Sequence, residues 1–193
     1  MLTTWPDHQK LDPAVVGFYG FSRGGYTGLV VAGGNPDLRN ATAFCLTFPL
    51  KSICLHLLVN ETSTQTFVHD GRVKAVVIAD PAFGPLFTPD SLKDMKMPVQ
   101  LWESELSGED QTGGEVTPDF VSAIERDLPI KPDYHLVPGA GHFAFIPPCA
   151  PDLAKKRPKS CSDRPGFDRV KFHAEFNAAV LDFFRKHLVT GPE

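Results

Sequence analysis

At 193 residues the chain is long enough for one domain with a usable core and leaves little room for a second. A composition that is 42% hydrophobic and 22% charged, with a net charge of -4, is that of an ordinary globular protein and argues against nucleic acid as a partner. No apolar run approaches the roughly 20 residues of a membrane span, the N-terminal "MLTTWPDHQK" lacks a signal peptide's apolar core, and the lone basic cluster, Lys155 to Lys159, reads as a solvated loop.

In chain order, Trp5-Pro6 and Asp12-Pro13 break residues 1–14 into a short turn or helix remnant. Val15 to Tyr19 then forms the first of four short apolar runs, the others being Val73 to Ala79, Val99 to Trp102 and Tyr134 to Val137. Near-continuous hydrophobicity, without alternation, predicts parallel strands covered by helices on both faces. Helices are predicted over Gly24 to Ala32, over Pro118 to Leu128 behind a Thr117 cap, and at the C-terminus. There Phe176, Val180, Phe183 and Phe184 make one apolar stripe and Asp168 caps the start. Residues 34–72 and 143–167 are rich in prolines and polar residues and read as partly irregular excursions above the sheet. They hold Cys45 with Cys54 and Cys149 with Cys161, two local pairs suited to disulfides, without the C-x-x-C spacing of a zinc site. The pairing hints at an oxidising compartment and the leaderless start at the cytoplasm, so the two signals conflict. Strand and helix in alternation imply an α/β fold with a parallel sheet flanked by helices.

The chemistry concentrates on Gly20-Phe21-Ser22-Arg23-Gly24, a G-x-S-x-G between a strand and a helix. Such a turn strains the serine backbone, points its hydroxyl out of the sheet, and needs flanking glycines for space. The helix start favours developing negative charge, and the Arg23 N–H is placed to donate to an oxyanion. A serine needs a histidine base, and the base an orienting acid. Of seven histidines, His142 lies in a glycine-bearing loop after the last strand, at the same sheet edge as Ser22, whereas His135, His173 and His187 sit inside elements and His8, His56 and His69 lack a motif. Asp80 ends the second strand, with Pro81 biasing it towards an extended backbone; the alternative acid is Glu105, or its neighbours Glu103, Glu109 and Asp110. Phe21, Phe83, Phe143 and Phe145 flank these residues and are candidates for an apolar substrate pocket. This chemistry calls for neither cofactor nor metal.

The stretches "LDPAVVGFYGFSRGGYTGLVVAGG", "VKAVVIADPAFG" and "VPGAGHFAF", with the following "PPC" and "PGFDRVKFHAEFNAAVLDFF", resemble the C-terminal part of bacterial α/β-hydrolases of the dienelactone hydrolase-like group, itself similar to platelet-activating-factor acetylhydrolases. The resemblance implies an α/β-hydrolase fold with Ser22 as nucleophile, Asp80 as acid and His142 as base. A serine where true dienelactone hydrolases carry cysteine implies a serine hydrolase of carboxylic esters. Only 14 residues precede the first strand, so the expectation is a single domain over 1–193 lacking the family's N-terminal strands, cut from a parent that is periplasmic or secreted if it carries a signal sequence. Two consequences are expected: an oxyanion hole missing a donor, at about 10²- to 10³-fold in rate, and an exposed first strand open to homodimerisation. The competing expectation is an inactive remnant that serves as a binding module.

Overall fold

In a computed structural model of the chain, residues 6–47, 54, 66–107 and 116–189 are described, the side chains of 43, 44 and 47 excepted. Four parallel strands, β1 (Val16–Phe21), β2 (Val73–Ala79), β3 (Val99–Ser104) and β4 (Asp133–Val137), form one sheet in the order β1-β2-β3-β4. All four predicted strands are present, but two run further than their apolar cores. β1 continues to Phe21, which pairs with Ala79, and β3 continues to Ser104, which pairs with Val137. Backbone pairing carries each ladder past the predicted apolar run, and the added residues bring each strand to the edge where the polar side chains gather.

β2 shows how the two faces are covered. Val76 and Ile78 pack with Leu29 of α1 (Arg23–Val31), while Ala75, Val77 and Ala79 face Phe172, Phe176 and Phe183 of the C-terminal helix. The alternation follows from side chains on a strand pointing to opposite faces, and a strand buried on both sides reads as an unbroken apolar run. The small residues Ala75 and Ala79 leave room for phenylalanine rings, and each fully buried Val or Ile contributes about 1.5–3 kcal/mol. At the edge of the sheet, β1 pairs with β2 alone among the described strands.

α2 (Arg39–Thr47) lies in the first excursion, so part of the stretch read as irregular is helical. α3 (Pro89–Leu92) is capped by Thr88, whose hydroxyl accepts from Ser91 N at 3.2 Å. α4 (Pro118–Asp127) has Thr117 at its N-cap as predicted, but the expected side-chain cap hydrogen bond is not made. α5 (Pro151–Lys156) and α6 (Pro158–Cys161) occupy the second excursion, and α7 (Arg169–Leu188) closes the fold. Asp168 caps α7 as expected, accepting from Lys171 N at 3.0 Å. The cysteines pair locally, Cys45 with Cys54 and Cys149 with Cys161, at Cα separations of 5.4 and 5.7 Å. Among the described residues no helix is long and apolar enough to cross a membrane.

Candidate active site

β1 runs straight into Ser22, which takes φ 56° and ψ -119°, and α1 starts at the next residue. A non-glycine residue there costs about 1–3 kcal/mol and persists only where its surroundings hold it. Three backbone hydrogen bonds do so: Ser22 N donates to Ala79 O at 3.0 Å, and Ser22 O accepts from Ala82 N at 3.0 Å and Tyr26 N at 3.1 Å. The glycines divide the steric work differently from the motif. A Cβ on Gly20 would lie 2.1 Å from Gly24 O, and one on Gly25 would lie 3.0 Å from Pro81 Cα, but one on Gly24 would meet nothing within 4 Å. The space is therefore needed at Gly20 and Gly25, and the expectation that Gly24 is required for space is corrected.

Asp80 follows directly on the end of β2, fully buried, with φ 40°. Pro81 does not keep it extended, as its sequence neighbourhood suggested; the bond from Asp80 N to Trp102 O at 2.9 Å and the ties of its carboxylate prevail. Asp80 Oδ1 accepts from Ser104 N at 2.8 Å, and Oδ2 accepts from the Ser104 hydroxyl. Oδ2 also lies 3.1 Å from His142 Nδ1. On its far side the same imidazole places Nε2 2.9 Å from Ser22 Oγ. A carboxylate can only accept, so Nδ1 carries the proton and Nε2 is left to accept from the serine hydroxyl. The sequence thus named three residues that the fold brings into one hydrogen-bonded line, and it missed Ser104. The signal for Ser104 was weak: a serine at the end of "VQLWES", level with Asp80 on the neighbouring strand.

His142 opens a 3-10 turn, His142–Phe145, reached from β4 through Gly139, whose φ is +70°. Glu105, the alternative acid, is engaged elsewhere; its Oε2 accepts from Gly139 N at 2.7 Å, steadying the approach to that turn. Glu103 lies buried on β3 and accepts from Ser122 Oγ at 2.9 Å and Tyr134 Oη at 2.8 Å. Burial pushes the Glu103 carboxyl up, partly offset by those two bonds, and burial together with Glu103 pushes the Tyr134 phenol up to about 12. Glu109 and Asp110 lie outside the described residues, as does His56.

Arg23 is the first residue of α1, and its guanidinium stands 5.7 Å over the Phe83 ring. Phe83 is itself at φ 59°, so the backbone turns left-handed at Ser22, Asp80 and Phe83 within one neighbourhood. Of the four candidate pocket rings, Phe21 lies 4.6 Å and Phe143 5.3 Å from the His142 ring, centroid to centroid. Phe143 also lines a cavity of about 220 Å³ with Leu106, Gly141, Ala144, Lys159 and Arg164. Phe83 and Phe145 are buried in the two cores, Phe145 against Phe172 and Phe176, and serve packing.

Strand, strained serine turn and helix, with a carboxylate and a histidine at the same carboxyl edge of a parallel sheet, make up the α/β-hydrolase arrangement. No protein-family model matches the sequence, nor does any curated protein. Among solved structures the chain is similar to a dienelactone hydrolase from Anabaena variabilis, at 21% identity and a TM-score of 0.48 over 97% of this chain and 55% of that one. It is similar also to the carboxylesterase Cest-2923 from Lactobacillus plantarum, at 16% identity and a TM-score of 0.45 over 99% of this chain and 66% of that one. The chain therefore spans just over half of the first protein and about two thirds of the second.

Proposed function

We propose that the protein is a serine hydrolase of carboxylic esters. Ser22 Oγ attacks the ester carbonyl carbon, His142 Nε2 takes the hydroxyl proton, and the Arg23 N–H at the start of α1 donates to the oxyanion. Collapse of the tetrahedral intermediate expels the alcohol, which leaves with the proton returned by His142. Water then attacks the acyl-serine, giving up a proton to His142, which returns it to Ser22 Oγ as the acid leaves. Asp80 keeps the imidazole in the Nδ1–H tautomer and stabilises its charged form. The observation that carries this reading is the unbroken line Ser22 Oγ, His142, Asp80, at 2.9 and 3.1 Å, on a serine with φ 56°. Short acyl chains are what a resemblance to acetylhydrolases would imply, and two disulfides suit an oxidising compartment.

The test is a fluorophosphonate probe together with turnover of p-nitrophenyl esters of graded chain length. Wild-type protein is expected to be labelled at one site and to release nitrophenol, and Ser22→Ala to do neither. Folded wild-type protein that is neither labelled nor able to turn over any of these esters would overturn the proposal.

A further inference from the structure

A general base must be held to about half an ångström, and His142 stands at the start of a single 3-10 turn, not on a strand or an α-helix. On the sheet side the approach to that turn is tied by Leu106 N donating to Ala140 O at 2.9 Å and by Glu105 accepting from Gly139 N. On the other side the ties come from one face of α7. His173 Nε2 lies 2.8 Å from Ala144 O, and since a carbonyl only accepts, this nitrogen carries the proton. His173 is buried, with the Phe172 and Phe176 rings edge-on at 5.4 and 6.1 Å. One turn earlier, Arg169 binds Asp163 through Nε and Nη2 and donates to Ser160 O, fixing the disulfide-bridged segment beside the same turn. Positions 169, 173 and 176 share a helix face, so α7 presents a guanidinium, an imidazole N–H and a phenylalanine to the segment that follows His142.

We propose that His173 is a positioning residue for His142: its buried N–H fixes the Ala144 carbonyl, two residues after the base, and so sets the angle at which the imidazole meets Ser22. The proposal rests on the serine hydrolase reading. Apolar packing alone would hold the turn against α7 but would leave it free to rotate about the helix face. A short, directed N–H···O bond to the Ala144 carbonyl adds an orientation requirement that packing lacks and so fixes the rotation. His173 does not touch the reacting atoms, so its loss acts on the chemical step and leaves substrate binding nearly unchanged.

The experiment compares wild type with His173→Leu, His173→Gln and His173→Asn, all assayed below their melting temperatures. The Gln amide N–H occupies the place of the imidazole Nε2–H, whereas Asn carries the same amide one methylene short. His173→Leu and His173→Asn are expected to lose about tenfold to a hundredfold in kcat and in fluorophosphonate labelling rate with KM within about threefold, and His173→Gln to recover most of the loss. Equal rates for Gln and Asn, or a leucine variant labelled as fast as wild type, would overturn the proposal. If the leucine variant does not fold, the Gln and Asn pair decides alone. Failure of the serine hydrolase reading looks different, since wild type itself would then go unlabelled.

Discussion

Replacing Asp80 by asparagine probes the site through tautomerism, and the hydrogen bonds fix the outcome in advance. Asp80 Oδ1 faces the Ser104 backbone N–H, which can only donate, so the amide oxygen of the introduced asparagine must take that position. Its NH₂ then takes the place of Oδ2, facing the Ser104 hydroxyl and His142 Nδ1. The hydroxyl can turn to accept, but the imidazole must present a bare Nδ1 and carry its proton on Nε2, pointing at Ser22 Oγ. A base already protonated on that side cannot take the serine proton. The expected loss in kcat/KM is about 10⁴-fold, or about 5.5 kcal/mol of transition-state stabilisation. Stability should fall by about 1–3 kcal/mol, because the buried Ser104 hydroxyl, once it accepts from the amide, no longer has the Asp80 carboxylate to donate to. The assay is ester turnover with a parallel thermal melt, and Glu105→Gln is the control, its amide oxygen still able to accept from Gly139 N. An Asp80→Asn variant within tenfold of wild type, or a Glu105→Gln variant that loses as much, would refute the tautomer argument.

Three further outcomes are expected. Gly20→Ala, whose Cβ would lie 2.1 Å from Gly24 O, should lose labelling and melt well below wild type, while Gly24→Ala, with open space, should match or exceed wild-type stability by up to about 1 kcal/mol; equal melting temperatures would refute the steric assignment. The double variant Cys149→Ser, Cys161→Ser opens a loop of sequence separation 12 and should lose about 3 kcal/mol in denaturant unfolding under oxidising conditions, against no change if the bridge does not form. For Glu103, whose folded-state pKa is raised, folding favours the protonated acid, so its contribution is full below the unfolded value of about 4.3 and is lost as pH rises through the higher folded value. Glu103→Gln should therefore gain stability relative to wild type between pH 4 and pH 7 in melting curves; a constant offset across that range would count against a buried, raised carboxyl.

The strands were legible because parallel strands buried on both faces leave uninterrupted apolar runs, as Val73–Ala79 does. Ser22 was legible because it stands in a G-x-S-x-G between a strand and a helix, although only Gly20 of its two flanking glycines is sterically required, and His142 because a glycine-bearing loop after the last strand comes to the same edge. Polar contacts made across the sheet left no such trace. Ser104 is an ordinary serine in the sequence and acquires its meaning only where β3 lies beside β2 and its N–H and hydroxyl meet Asp80. His173 shared a helical stripe with phenylalanines, and the periodicity that revealed the helix also hid its N–H donor among the rings. Glu105 could not be separated from Asp80 by spacing, because both follow strands that end at one crest.

Backbone strain gives an independent reason to regard this crest as built for chemistry. Ser22, Asp80 and Phe83 have φ of 56°, 40° and 59°, and each non-glycine residue in that region costs about 1–3 kcal/mol. A fold with no use for the geometry would relieve it most cheaply with glycine, which adopts positive φ freely. At Ser22 and Asp80 glycine would abolish the hydroxyl and the carboxylate that His142 joins. The strain is sustained by sheet hydrogen bonds from Ser22 N to Ala79 O and from Asp80 N to Trp102 O, anchored in the best-buried strands of the molecule. Ser22→Gly is accordingly expected to melt higher than wild type while losing fluorophosphonate labelling, an exchange of activity for stability. A glycine variant that melts lower would mean that the hydroxyl itself holds the turn, and the strain argument would fall.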